Sequence, residues 1–182
     1  SIKTRIGTHY EEDWDYLLAI YEKYPIHELI IHPRIQTDMY RGVPRLGAYE
    51  KAVNRLKMPL CYNGNLFSVA DYKRITERFP ETDCFMYGRG LITNPGLVTE
   101  IREGTRPDKK TLREFHDCLF EEYQKLLSGE RNVLFRMKEL WSYMAVNFTN
   151  YEKYAKKIKK SQHLPEYLSV VSSLFAEQDL VK

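Results

Sequence analysis

The stretch Cys84-Phe85-Met86-Tyr87-Gly88-Arg89-Gly90 ends a short apolar run in two glycines around an arginine, and a helical pattern then begins through Leu91 and the Asn94-Pro95 pair. Backbone N–H groups, a helix N-terminus and a guanidinium can converge there on an anion, and phosphate is the guest such a turn would take. A second turn, Asn63-Gly64-Asn65, follows the preceding apolar run Pro59-Leu60-Cys61-Tyr62. Gly-Arg-Gly more often just ends a strand, so the argument for an anion site rests on the pair of turns and on what precedes them.

Lys3 and Arg5 alternate with Ile2, Thr4 and Ile6, so on a strand both cations share one face. A lysine on an inner face is costly unless it meets an anionic group; on a frayed first strand both side chains would simply stand in water. His32 closes the apolar run Glu28-Leu29-Ile30-Ile31, where either a ligand-facing or a hydrogen-bonded structural histidine could stand. Neither His32 nor His9, His27, His116 and His163 has metal-ligand spacing, so no metal is expected. No Ser-His-Asp order, Walker loop or catalytic carboxylate pair stands out. Lys153, Lys156, Lys157 and Lys160 share one helical face opposite Tyr151, Ala155 and Ile158, which is a solvated surface or a positive patch able to track phosphates.

These residues need elements to hold them. A chain of 182 residues with 43% hydrophobic residues can bury one good core, or one domain with a helical appendage. Its formal charge of +3 permits an anionic partner without demanding one. Cys61, Cys84 and Cys118 have no Cys-x-x-Cys spacing and an odd total, which predicts reduced thiols and a cytoplasmic location. No apolar run is long enough to cross a bilayer.

Ser1 to Gly7 reads as a strand and turn with nothing leading into it, which predicts a chain whose front is missing. Trp14, Leu17, Leu18 and Tyr21 then recur at helical spacing until Pro25. Glu28 to Pro33 is a strand with Pro33 at its exit, and the polar segment 34–47 is a long loop of the kind in which binding residues collect. A helix over 48–57, the Asn63-Gly64-Asn65 strand, a helix capped by Ser68 and the Gly-Arg-Gly strand complete four strand-helix units ending near Gly104. Such alternation argues for a parallel sheet with right-handed crossovers. Anion sites made by two successive strand ends are a habit of the (β/α)8 barrel. Beyond Pro107 the periodicity predicts four amphipathic helices: one marked by Leu112 to Leu126, one by Leu134 to Phe148, then 151–160 and 164–175. Short links make these a four-helix bundle. The expected domains are therefore 1–106 and 107–182.

Taken together, Lys3-Thr4-Arg5, Ile31-His32-Pro33-Arg34, Met39-Tyr40-x-Gly42, Asn63-Gly64-Asn65 and Gly88-Arg89-Gly90 with Asn94-Pro95 resemble the tRNA-dihydrouridine synthase family over nearly the whole chain. The resemblance implies an FMN-dependent TIM barrel with a C-terminal helical, tRNA-binding domain, reducing a uridine of tRNA with NADPH. It implies that Lys3 and His32 contact the flavin, that Asn63, Gly64, Asn65, Gly88 and Arg89 hold its phosphate, and that Arg5 and Arg34 face the substrate. Lys153, Lys156 and Lys157 would grip the tRNA backbone. Two positions depart from the family pattern: Asn65 stands where Asp is usual, and Pro33 where Gly or Ala is common.

The same resemblance implies that the family's first four strands, and its proton-donating cysteine, lie upstream of this chain. Four strand-helix units and the helical tail would then be a half-barrel fragment, inactive alone, with no catalytic residue of its own and with exposed edges that favour self-association. Two other readings are an FMN barrel acting on a small molecule, similar to dihydroorotate dehydrogenase, and a flavin-free RNA-binding or interaction protein.

Overall fold

The computed structural model describes residues 1–181 and divides into two compact units, Ser1–Gly88 and Arg89–Lys182. The first unit alternates strand and helix: β1 (Ile2–Gly7), α1 (Asp13–Tyr21), β2 (Leu29–Ile35), α2 (Leu46–Arg55), β3 (Leu60–Tyr62), α3 (Val69–Arg78) and β4 (Cys84–Phe85). The strands form one parallel sheet in the order β1-β2-β3-β4. This is the α/β arrangement that the alternation predicts.

Side chains alternate across a strand, so the sheet has two distinct faces. Ile6, Leu29, Ile31 and Tyr62 are buried with Trp14, Leu18, Tyr49, Ala52, Ile75 and Phe79 of the helical layer. Each large apolar side chain removed from water here contributes roughly 1.5–3 kcal/mol. The polar atoms that enter this core are paired: Trp14 Nε1 donates to the Ala48 carbonyl at 2.8 Å, and the Tyr49 and Thr82 hydroxyls share a bond of 3.0 Å. The opposite face is left to Lys3, Arg5, Glu28, Ile30, His32, Cys61 and Cys84.

Strand β2 runs past its expected end, because Pro33 lies inside it rather than at its exit. Proline has no N–H to give the ladder, and the sheet accommodates this with an irregularity: Arg5 pairs with His32, but Gly7 pairs with Ile35. The Pro33 carbonyl is taken by the Arg45 amide at 2.7 Å. The loop expected over 34–47 therefore shrinks to the connection after Ile35, which holds a 3-10 turn at Gln36–Asp38. Helix α3 is capped as its sequence suggests. Ser68 Oγ accepts from the Asp71 amide at 3.1 Å, and Asp71 reaches back to the Ser68 hydroxyl and the Phe67 amide.

The second unit is helical: α4 (Arg89–Thr93), α5 (Leu97–Glu103), α6 (Lys109–Leu126), α7 (Glu130–Met144), a 3-10 turn at Ala145–Asn147, α8 (Tyr151–Lys160) and α9 (Leu164–Glu177). Arg89 and Gly90 already belong to α4, so only Gly88 of the Gly-Arg-Gly motif lies in the turn. Gly104, at φ +72°, ends α5 in the left-handed conformation that a side chain would resist. Four long helices cover the segments that the apolar periodicity marks, except that α7 stops at Met144 and leaves Phe148 beyond the 3-10 turn, and Leu112, Val133, Met137, Trp141, Met144, Phe148, Ile158, Tyr167 and Val171 share one buried cluster. The expected boundary at 106/107 falls inside this unit: α4 packs on α7, and Asn147 Nδ2 donates to the Thr93 carbonyl at 2.6 Å.

Candidate functional site

Three of the sequence-selected residues, Lys3, Arg5 and His32, come together on the sheet face away from α1, α2 and α3. Lys3 pairs with Ile30, and Arg5 with His32, across β1 and β2. Burial holds the Lys3 ammonium below its ordinary pKa; the Arg5 guanidinium pushes the same way, while Cys61 opposes them. The result is a cation beside a second cation and an imidazole, which is a surface suited to an anionic or electron-rich planar group.

The two arginines are engaged with the chain's own backbone. Arg5 Nη1 donates to the Ile35 carbonyl at 2.9 Å, and its guanidinium lies 5.6 Å from the Tyr40 ring centroid. The buried His32 ring has its centroid 6.1 Å from the same tyrosine. Arg34, which the resemblance places toward substrate, is fully buried. It forks onto the carbonyls of Arg41 and Gly42 and donates to Asn65 Oδ1 at 3.2 Å. Within the same connection Arg45 pairs with Asp38 and, at 3.0 Å, with Glu11. The Arg45 hydrogen bond holds the Asp38 carboxyl below the usual carboxylate range.

The Asn63-Gly64-Asn65 turn is built from its own contacts. Asn63 Nδ2 donates to the Met86 carbonyl at 2.8 Å, which joins the ends of β3 and β4. A Cβ at Gly64 would meet the Tyr62 hydroxyl at 2.2 Å, so this glycine is required by the tyrosine packed beneath it. A Cβ at Gly88 would meet nothing within 4 Å, so that backbone is open to close approach. Arg89 begins α4 of the second unit.

Lys153, Lys156 and Lys157 lie on α8 of the second unit, and all are exposed. Lys159 and Lys160 extend the charge into the last turn of the helix, where cations suit the helix dipole. The opposite side buries Tyr154 and Ile158. Sequence reasoning missed the pairing of Arg45 with Asp38, whose seven-residue separation spans no regular element, and the meeting of Glu28, Cys61 and Cys84 on the same face as Lys3. Strand parity could have found the latter: Tyr62 and Phe85 point to the helices, so the cysteines preceding each of them point away. Among the described residues no helix is long and apolar enough to cross a membrane.

The family model described as dihydrouridine synthase matches residues 1–179. The tRNA-dihydrouridine(16) synthase of Shewanella oneidensis is 30% identical over 129 residues, covering 70% of this chain and 40% of that protein. The tRNA-dihydrouridine(16) synthase of Aquipseudomonas alcaligenes is 25% identical over 101 residues, covering 54% of this chain and 32% of its own length. The chain thus spans less than half the length of these curated relatives.

Proposed function

Because this chain belongs to the dihydrouridine synthase family, we propose that it is part of an FMN-dependent enzyme that reduces a uridine of tRNA to dihydrouridine with NADPH as electron source. The observation that supports this most directly is the meeting of Lys3, Arg5 and His32 on paired strands of one sheet face. In this reading the parallel sheet is the later half of a (β/α)8 barrel through residue 106, and residues 107–182 are a helical bundle that binds tRNA.

The donor set fits a flavin phosphate and ring. Lys3 brings an ammonium, His32 a ring nitrogen and Asn63 and Asn65 amide groups, while the Gly88 backbone has open space beside it. Gly64 and Arg89 complete the proposed phosphate contacts. The flavin, when bound, supplies hydride transfer. Lys3 would offer its positive charge to the anionic part of such a ring. Arg34 acts through the connection it organises, by fixing the carbonyls of Arg41 and Gly42 and the Asn65 side chain. Arg5 holds the start of that connection and presents its guanidinium beside Tyr40. Lys153, Lys156 and Lys157 neutralise tRNA phosphates without reading sequence.

None of Cys61, Cys84 and Cys118 takes the part of the family's proton-donating cysteine, so the chain alone does not turn over. The free edges of β1 and β4 would then favour self-association of the isolated chain. The relatives are named for position 16, which makes that uridine the first to examine. Disrupting the encoding gene and mapping dihydrouridine along the cell's tRNA should show loss at one position. An unchanged map would overturn the proposal.

A further inference from the structure

Two thiols and a carboxylate meet on the sheet face that carries Lys3. Cys61 and Cys84 are directly paired across β3 and β4. Their neighbours Tyr62 and Phe85 belong to the core packed against the helices, so both thiols project from the other face. Glu28 immediately precedes β2 and shares the parity of Ile30, the β2 partner of Cys61. Cys84 Sγ lies 3.3 Å from Glu28 Oε1, and all three ligand atoms lie within 4.8 Å of one another. In tetrahedral coordination, with Zn–S about 2.3 Å and Zn–O about 2.0 Å, ligand atoms stand roughly 3.5–3.8 Å apart. The set therefore already stands close to that spacing.

We propose that Cys61, Cys84 and Glu28 form a binding site for a thiophilic divalent cation of the Zn²⁺ type, with a fourth position left for water. Two soft sulfur donors with one carboxylate select zinc-like ions over Mg²⁺ or Ca²⁺. The ligands come from paired or strand-adjacent positions in one sheet, so the backbone geometry is set before any ion arrives. Charge also balances. Two thiolates and a carboxylate exceed a divalent ion by one negative charge, and Lys3, which interacts electrostatically with Cys61, supplies the compensating positive one. Cys61 is almost wholly buried, while Cys84 and Glu28 are partly exposed and give the ion a way in. Each thiol releases its proton to the solvent when the metal–sulfur bond forms. This assignment does not depend on the flavin reading.

Co²⁺ titration of the reduced, metal-free chain tests it, because thiolate-bound cobalt absorbs in the near ultraviolet and tetrahedral cobalt absorbs strongly in the visible. Both bands should grow together to one ion per chain, and Zn²⁺ should bleach them. Cys84→Ser leaves one thiolate, so it should weaken binding and lower the thiolate band per bound ion, and Cys118→Ser should leave both unchanged, since Cys118 is exposed on α6. Losing one ligand should cost at least what losing an outer-shell partner does, so Glu28→Gln should weaken binding by about 10- to 100-fold. Absence of the bands, unchanged band intensity and affinity in Cys84→Ser, or unchanged affinity in Glu28→Gln would overturn the site. Should Cys61→Ser fail to fold, Cys84→Ser still decides, because its side chain is partly exposed.

Discussion

Arg34 Nη2 donates to Asn65 Oδ1 at 3.2 Å, and this bond ties the connection after β2 to the turn after β3. The same guanidinium holds the Arg41 and Gly42 carbonyls, so one buried cation organises two stretches of backbone. Arg34→Met should therefore leave three part-buried acceptors without their donor and destabilise the fold by roughly 2–4 kcal/mol in urea denaturation. Arg34→Lys should not rescue it, because an ammonium cannot reproduce the planar fork. A lysine variant as stable as the parent would show that charge alone is what the site needs.

Tyr167 fixes the tautomer of His116. Trp141 Nε1 can only donate, and it gives its proton to the Tyr167 hydroxyl at 2.7 Å. The tyrosine proton then goes to His116 Nε2 at 2.6 Å, leaving Nδ1–H to donate to Asp117 Oδ1 at 2.8 Å. Tyr167→Phe leaves the indole N–H and the imidazole nitrogen without this partner, at a cost of about 2–4 kcal/mol, measured by chemical denaturation against the parent.

His116 also makes stability depend on pH. Burial holds its pKa below the ordinary 6.5 and Arg113 adds to the effect, while Asp117 opposes both. The folded state therefore keeps the ring neutral where the unfolded chain would protonate it, and the unfolded state binds more protons. Stability from this group is fully present above the unfolded pKa and is lost as pH falls through it toward the folded value. Denaturation midpoints at about pH 7.5 and about pH 5.5 should differ in the parent, and His116→Gln should flatten that difference. Equal pH sensitivity in both proteins would assign the effect to other groups.

Ser68 offers a local test of how α3 begins. Its hydroxyl satisfies the Asp71 amide, and Asp71 in turn accepts from the Phe67 amide and the Ser68 hydroxyl. Ser68→Ala should cost about 1 kcal/mol, and Ser68→Asp should recover most of it. Equal losses in the two variants would mean that the cap contributes through shape rather than through its acceptor.

The readable parts of this chain were those in which one period dominates. Leu112, Met137, Trp141 and Ile158 recur at helical spacing, and each is buried in the helix that this spacing implies. Lys3 and Arg5 share a face because strands alternate, and no tertiary knowledge is needed to say so. What stayed hidden depended on contacts distant in sequence. Pro33 looks like a strand exit until the irregular register opposite it is known. Arg34 looks substrate-facing until its carbonyl partners arrive from residues seven and eight positions on. Gly64 reads in the sequence as a turn glycine, and only packing adds that the Tyr62 ring leaves no room for a side chain there.

The lysines of α8 carry the last prediction. Lys153, Lys156 and Lys157 are exposed, so replacing them with glutamine should leave the denaturation midpoint nearly unchanged. Each phosphate they neutralise releases condensed counterions, so each single substitution should reduce the slope of log affinity for tRNA against log salt by about one. The triple variant should lose about three from that slope, with the weakening greatest at low salt and similar across tRNA species, because phosphate contacts carry no sequence information. A nitrocellulose filter or anisotropy titration over several salt concentrations measures this directly. A slope unaltered in the triple variant would make the lysine face a solvated surface and remove it from the proposed tRNA contacts.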